Sequence, residues 1–191
     1  MLRLGVHYVL RSAYHGTLDQ SFFVSDVMRN AWRGRAGEGH TYNHEVALDF
    51  EKSGWAVREG VSIPEVLKRA LEKNFGDVDV LAWNLASNQI CIGECKDLSQ
   101  SRNYSEIAAL LSDYQGKMKA GKPDKLLRHL ERVRILSENI PALTAFTGIH
   151  APTVISALFA SGVVPMQYAK IEALKDTYVG SAWKFLGQHG P

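Results

Sequence analysis

The chain has 191 residues, 46% of them hydrophobic and 22% charged, which suits one globular domain with a sizeable core and excludes a disordered or low-complexity chain. Its 22 Lys and Arg against 20 Asp and Glu leave a net charge of +2, too small to announce nucleic-acid binding by itself. Two cysteines exclude a disulfide scaffold, and the apolar stretch Leu2 to Leu10 is too short to span a membrane and lacks the small-residue cleavage site of a signal peptide, so a cytoplasmic protein is expected.

In chain order, Asp19 to Trp32 reads as an amphipathic helix with Phe22, Phe23, Val27, Met28, Ala31 and Trp32 available for burial, followed by the glycine-rich linker Gly34 to Gly39. Residues 1–38 are therefore expected to be a helical extension and linker, and residues 39–191 the main domain. Asn43 to Lys52 predicts a helix ending at Gly54 and carrying Glu45, and Trp55 to Val61 predicts a strand. His40 and His44 stand at a spacing that would suit two zinc ligands, but no third ligand is near, so they read as capping or surface residues, with His44 placed to touch a substrate beside Glu45. Ser62, Ile63 and Pro64 open a helix to Asn74. After two strands discussed below, Tyr104 to Lys119 predicts a helix, Asp124 to Glu138 another, Ala142 to Ile149 and Val163 to Met166 strands, and Pro152 to Ala160 a helix between them.

The two strands, Gly76 to Val80 and Ile92 to Lys96, carry charge where a core belongs. Asn84 to Asn88 supplies the hairpin loop, and a turn centred between Ala86 and Ser87 sets Asp79 opposite Glu94 and Asp77 opposite Lys96. Opposed residues of an antiparallel pair have Cβ atoms roughly 4.5 to 5.5 Å apart, so the two carboxylates and the ammonium converge on a volume the size of one ion site. Val78, Val80 and Ala82 with Cys91, Gly93 and Cys95 make the other face apolar, while Leu81, Trp83, Ile90 and Ile92 extend the charged one. A hairpin buried on both faces belongs in a sheet covered by helices, where two carboxylates so close repel unless a cation sits between them. A divalent cation would lift that penalty.

An acid on one strand and Glu-x-Lys on the next resembles the PD-(D/E)xK nuclease superfamily. The resemblance covers roughly residues 40 to 170, whose expected elements run in the family's order of helix, strand, strand, strand, helix, strand, with Glu45 matching the first-helix glutamate. It implies a restriction-endonuclease-like three-layer α/β/α core with a mixed central sheet. It also implies catalytic Asp79, Glu94, Lys96 and Glu45, with Asp79, Glu94 and Glu45 ligating Mg²⁺, or Mn²⁺ as substitute. In that scheme the ion activates a water for attack on a phosphodiester and Lys96 orients the water or stabilises the pentavalent phosphorus. Two departures stand out: no proline precedes the strand acid, for which Asp77 competes with Asp79, and the Gln-x-x-x-Tyr element of some exonuclease branches is missing, Tyr114 and Gln115 being merely adjacent.

Lys117, Lys119, Lys122, Lys125, Arg128, Arg132 and Arg134 meet only Asp124 and Glu131 in their stretch of chain. On the expected helix Lys125, Arg128 and Arg132 line one side and Leu126, Leu130 and Val133 another; with Lys117 and Lys119 this is either an ordinary solvated face or, beside the acidic cluster, a basic stripe suited to a phosphate backbone. Cys91 and Cys95 lie about 13 Å apart along one strand, too far for a disulfide, and read as buried thiols. Together with these features the resemblance implies a Mg²⁺-dependent nuclease, an endonuclease on DNA in restriction, repair or defence. An inactive nucleic-acid-binding module and an oligomerisation scaffold are the alternatives, and a homodimer or larger assembly stays open.

Overall fold

The computed structural model describes residues 24–27, 41–98 and 103–189. The chain divides into two compact units, Met1–Thr41 and Tyr42–Pro191, and the architecture below is that of the second. Except for residues 24–27, the helix expected over Asp19 to Trp32 lies outside the described residues, as do the linker and His40.

Helix α1 (Thr41–Lys52) closes at Gly54, whose φ of 78° is costly for a residue with a Cβ, and strand β1 (Ala56–Ser62) follows. The Ser62 side chain accepts the Glu65 N–H and so caps the short helix α2 (Ile63–Leu67), which stops at left-handed Lys68, well before Asn74. Strands β2 (Asp77–Asn84) and β3 (Gln89–Lys96) form the expected hairpin, closed by the Asn84 side chain, which accepts the N–H groups of Ala86 and Ser87 at 2.9 and 3.1 Å. Its pairs, Val80 with Gly93 through Asn84 with Gln89, are in the expected register.

Later elements differ from expectation. Helix α3 (Tyr104–Ser112) ends where Asp113 and the buried Tyr114 begin a turn through Gly116 into the small hairpin β4 (Met118–Lys119) and β5 (Lys122–Pro123). Helix α4 (Lys125–Ser137) is capped by Asp124, whose carboxylate accepts Leu127 N–H at 2.7 Å while also accepting Gln115 and Lys117 N–H at 2.9 and 3.1 Å. The expected strand over Ala142 to Ile149 is helix α5 (Ile140–Thr147), with Pro141 in its first turn and left-handed Gly148 at its end, the usual start and stop of a helix. The expected helix over Pro152 to Ala160 is strand β6 (Thr153–Ala160), opened by Thr153, Val154 and Ile155, whose branched Cβ atoms favour a pleated backbone. Val163 to Met166 gives no strand but a 3₁₀ turn at Pro165–Gln167, and the edge strand is β7 (Thr177–Gly180), followed by helix α6 (Ala182–His189).

The strands make a mixed five-stranded sheet in the order β1, β2, β3, β6, β7, antiparallel across the first three and parallel across the last three. Helices flank it. On one face Val80, Ala82, Cys91, Cys95 and Phe159 pack against Val46 and Phe50 of α1 and Phe185 of α6, with the Phe50 ring centroid 5.3 Å from Trp55 and 5.6 Å from Phe159. On the other, Leu81, Ile90 and Ile92 meet Val66 of α2, Leu136 of α4 and Leu143 of α5. Residues Ile90 to Cys95 of β3 are all buried, as expected for a strand covered on both sides. One face assignment changes: β1 and β2 skip a pair at Gly60, whose φ is 60°, and beyond it Val61 and Val78 join Leu81 and Ile92 rather than Val80. No described helix is long and apolar enough to cross a membrane.

Gly93, central in β3, is held in close contact: an added Cβ would lie 2.8 Å from Phe159 Cε2 and 3.2 Å from the Val80 carbonyl oxygen. Gly93→Ala should lower stability by about 1–3 kcal/mol in urea melts, because backbone on one side and a packed ring on the other must move.

Candidate active site

The β2–β3 ladder ends at Val80 and Gly93, whereas β3 stays paired with β6 as far as Lys96 and Ala160, and β2 with β1 as far as Asp77 and Ser62. The two central strands thus part while each is held on its outer side. Asp79 fills the opening, its Oδ2 accepting the Cys95 N–H at 2.8 Å. Glu94 and Lys96, two residues apart on β3, project to one face. Lys96 Nζ lies 2.7 Å from Glu94 Oε1 and 3.6 Å from Asp79 Oδ2. Arg132 reaches down from α4 to ion-pair the other Glu94 oxygen, and its Nη1 donates to the Phe75 carbonyl at 3.2 Å.

Two carboxylates and two cations therefore share the site. Glu94 and Arg132 are buried, while the Lys96 and Asp79 side chains keep 28% and 23% of their exposure and form the accessible side. Burial, and next the Glu94 charge, raises the pKa of Asp79 against the opposing pull of the Cys95 N–H and Lys96. Burial alone would lower Lys96, but Glu94 and Asp79 outweigh it and hold the ammonium above its ordinary value. Lys96 is thus a charged donor at neutral pH and not a base.

The structure brings together Asp79, Glu94 and Lys96 from the expected set. It does not bring Asp77 or Glu45 to them. Asp77 is exposed and lies across from Ser62. Glu45 is exposed on α1, where its charge, after burial and the effects of Cys95 and Asp97, helps raise the pKa of Tyr42. His44 is exposed too, its Nδ1 3.0 Å from Glu59 Oε1. The expectation that only a dication makes the two carboxylates compatible needs correction, since Lys96 and Arg132 already balance them. Among the described residues no three His, Cys, Asp or Glu side chains are grouped to hold a metal ion. The donor chemistry of the pair still fits a hard cation, because Mg²⁺ is commonly held by one or two carboxylates with waters completing its shell.

The basic stretch also sorts differently. Arg132 does not share an exposed stripe with Lys125 and Arg128 but lies with Leu126, His129, Ile135 and Leu136 on the buried side of α4, where Glu94 makes burial of a guanidinium tolerable. Lys119 and Lys125 both pair with Asp113, at 3.1 and 3.0 Å, and Lys117, Lys122 and Arg128 are exposed. Cys91 and Cys95 are buried free thiols whose pKa values burial pushes up, which leaves no reactive thiolate.

Two neighbours of the site escaped the sequence reading. Tyr114 is fully buried with no hydrogen-bond partner for its hydroxyl, and burial followed by the Glu94 charge raises its pKa. His129 Nε2 lies 3.0 Å from Ser156 Oγ, which lies 3.0 Å from Thr177 Oγ1. With His129 1% and Ser156 7% exposed, this chain of polar atoms ties α4 to β6 and β7 out of reach of a substrate. The one signal for both His129 and Arg132 was their spacing of three and six residues, respectively, after Leu126, which puts them on an apolar helix face.

The fold and these residues define an α/β protein with a charge-balanced acid–base cluster at the end of a central hairpin, open on its Asp79 and Lys96 side. A family model described as "Anti-phage protein Upx-like" matches residues 1–186, and the chain belongs to this family. Membership assigns it to anti-phage defence. No curated protein and no solved structure matches it.

Burial first, then Arg132 and Lys96, lower the His129 pKa to about 3. Below the unfolded value of about 6.5 the unfolded chain takes up a proton that the folded chain refuses, so this stability is complete above pH 6.5 and falls as the pH falls, by about 2 kcal/mol at pH 5. Urea melts at pH 7.5 and pH 5 should show that loss in the parent and a smaller one in His129→Leu; equal losses in both would refute the neutral buried imidazole.

Proposed function

We propose that the chain is a divalent-metal-dependent nuclease of restriction-endonuclease-like fold, cleaving DNA in anti-phage defence. The observation that carries this is the Lys96 ammonium lying between Glu94 and Asp79 where β2 and β3 part. The order α1, β1, β2, β3, α4, β6 and the mixed sheet with helices on both faces support it, since the superfamily core runs helix, strand, strand, strand, helix, strand.

Asp79 and Glu94 are the residues that would hold Mg²⁺, which when bound supplies a water of lowered pKa and neutralises charge on the phosphate. Glu94 and Asp79 aim the Lys96 ammonium, which stays protonated and donates to an oxygen gaining negative charge. Arg132 holds the far oxygen of Glu94 and so fixes that carboxylate. The exposed Lys117, Lys122 and Arg128, with Lys119 and Lys125 paired to Asp113, provide positive charge for a nucleic-acid backbone. Preference for DNA rests on the superfamily resemblance.

Incubation of plasmid, linear duplex, single-stranded DNA and RNA with Mg²⁺, Mn²⁺ or EDTA tests the reading. Cleavage should require the metal and drop by ~10²-fold or more in Lys96→Ala, the scale of losing one preorganised donor to a developing charge. Cleavage at the parental rate in that variant would overturn the assignment.

A second reading, an inactive nucleic-acid-binding or oligomerisation module, draws on one observation: both Glu94 oxygens are already engaged by protein cations. The metal separates the two. A ligand bound only by the folded state raises its melting temperature, so Mn²⁺ or Mg²⁺ should raise that of the parent and not that of Asp79→Asn. No shift in the parent favours the second reading.

A further inference from the structure

Beside the carboxylate pair lies a cleft of about 280 Å³, lined on one side by Lys73 to Gly76 and Pro123 and on the other by Arg128, Glu131 and Arg132 of α4. Much of its charge is paired internally. Lys73 Nζ lies 3.2 Å from Glu131 Oε2 and 4.9 Å from the centre of the Phe75 ring, and Arg132 is shared with Glu94. Arg128 is exposed and makes no ion pair among the described residues, so the cleft keeps an unbalanced positive charge.

A second observation points the same way. Arg132 is 6% exposed, and its Nε is one of three buried side-chain polar atoms among the described residues without a hydrogen-bond partner. The guanidinium lines the cleft and, among the described residues, makes hydrogen bonds only to Glu94 and the Phe75 carbonyl, so part of its five-donor capacity is unused. Gly76 leaves the wall bare beside the guanidinium: its φ is 74°, and a side chain there would begin 3.4 Å from Arg132 Nη1. A planar guanidinium donating to a carboxylate on one edge and free to donate elsewhere suits a phosphate better than a second carboxylate-bearing partner, because phosphate offers acceptors in several directions. The larger surface clefts, of about 530 Å³ by Met166 to Val179 and about 660 Å³ by Trp183, are lined by none of the site residues.

We propose that this cleft seats a phosphate of the nucleic-acid strand next to the one at Lys96, with Arg128 and Arg132 as its ligands. The inference rests on the nucleic-acid reading above and adds the subsite that would hold the strand in register. Arg132 then holds the strand in addition to Glu94 and the Phe75 carbonyl, and occupancy of the cleft is felt at the carboxylate.

Arg128 is the residue to change, since it is exposed and its loss should leave the fold intact, which an unaltered melting temperature would show. Binding of a fluorescently labelled single-stranded oligonucleotide, followed by anisotropy in EDTA, should be weakened ~10-fold or more in Arg128→Glu, with the slope of log affinity against log salt reduced by about one in Arg128→Ala. Lys184→Ala, on α6, should bind as the parent does. Unlabelled inorganic phosphate should compete only at concentrations far above the oligonucleotide; competition at equal concentration would give the cleft to free phosphate and overturn the strand assignment. Parental affinity in Arg128→Glu, or no binding by the parent, would also overturn it. The two readings fail separately: Lys96-dependent cleavage with unchanged affinity in Arg128→Glu removes the cleft and keeps the nuclease. Arg128-dependent binding without cleavage in Mg²⁺ or Mn²⁺ does the reverse.

Discussion

Glu94 is gripped from two directions, by Lys96 along its own strand and by Arg132 from the helix above, and the polar end of the sheet depends on that grip. A carboxylate so deeply buried would otherwise lose its hydration without return, and a buried pair with one partner removed typically costs 3–5 kcal/mol. The contact also seats α4, since Arg132 and His129 are its two polar anchors, one on β3 and the other on β6. Helix position and site charge are therefore one problem with one solution.

The sheet explains why such a cluster can exist at all. β3 runs through the middle with both faces covered, so Glu94 near its end is buried and Lys96 at its end half-buried. The opening lies where β2 turns away from β3, and there Asp79 replaces a backbone acceptor with a side-chain one. A backbone hydrogen bond has been exchanged for a carboxylate that still has a free side. The same exchange leaves Asp79 and Lys96 partly accessible while Glu94 and Arg132 are closed off, a division between open and enclosed residues that comes from strand geometry. Membership of an anti-phage family is compatible with the nuclease proposed above.

The hairpin was legible in the sequence because its signals are local: branched residues, a short polar loop and a register fixed by the turn put Asp79 beside Glu94 and Lys96. Residues 140 to 160 were not, and helix and strand came out exchanged. Short apolar runs carry no decisive periodicity, and the deciding signals were Pro141 and Gly148 at the ends of one segment and the branched run Thr153 to Ile155 in the other. Arg132 was misplaced for a different reason. Helical spacing names the neighbours of a residue, but whether a cation on that face meets solvent or a buried carboxylate is decided by a strand 38 positions away. Glu45 shows the converse, a residue matched by order along the chain and left outside the cluster by its place on α1.

The Asp124 carboxylate accepts three backbone N–H groups, one from the first turn of α4 and two from the segment leading into the β4–β5 hairpin. One side chain thereby welds the mount of Lys117, Lys119 and Lys122 to the rod that bears Arg128 and Arg132. Cations on separate flexible loops would each lose freedom on meeting a partner. Here most of that ordering is complete once the chain has folded, so whatever the lysines encounter must match a spacing already set.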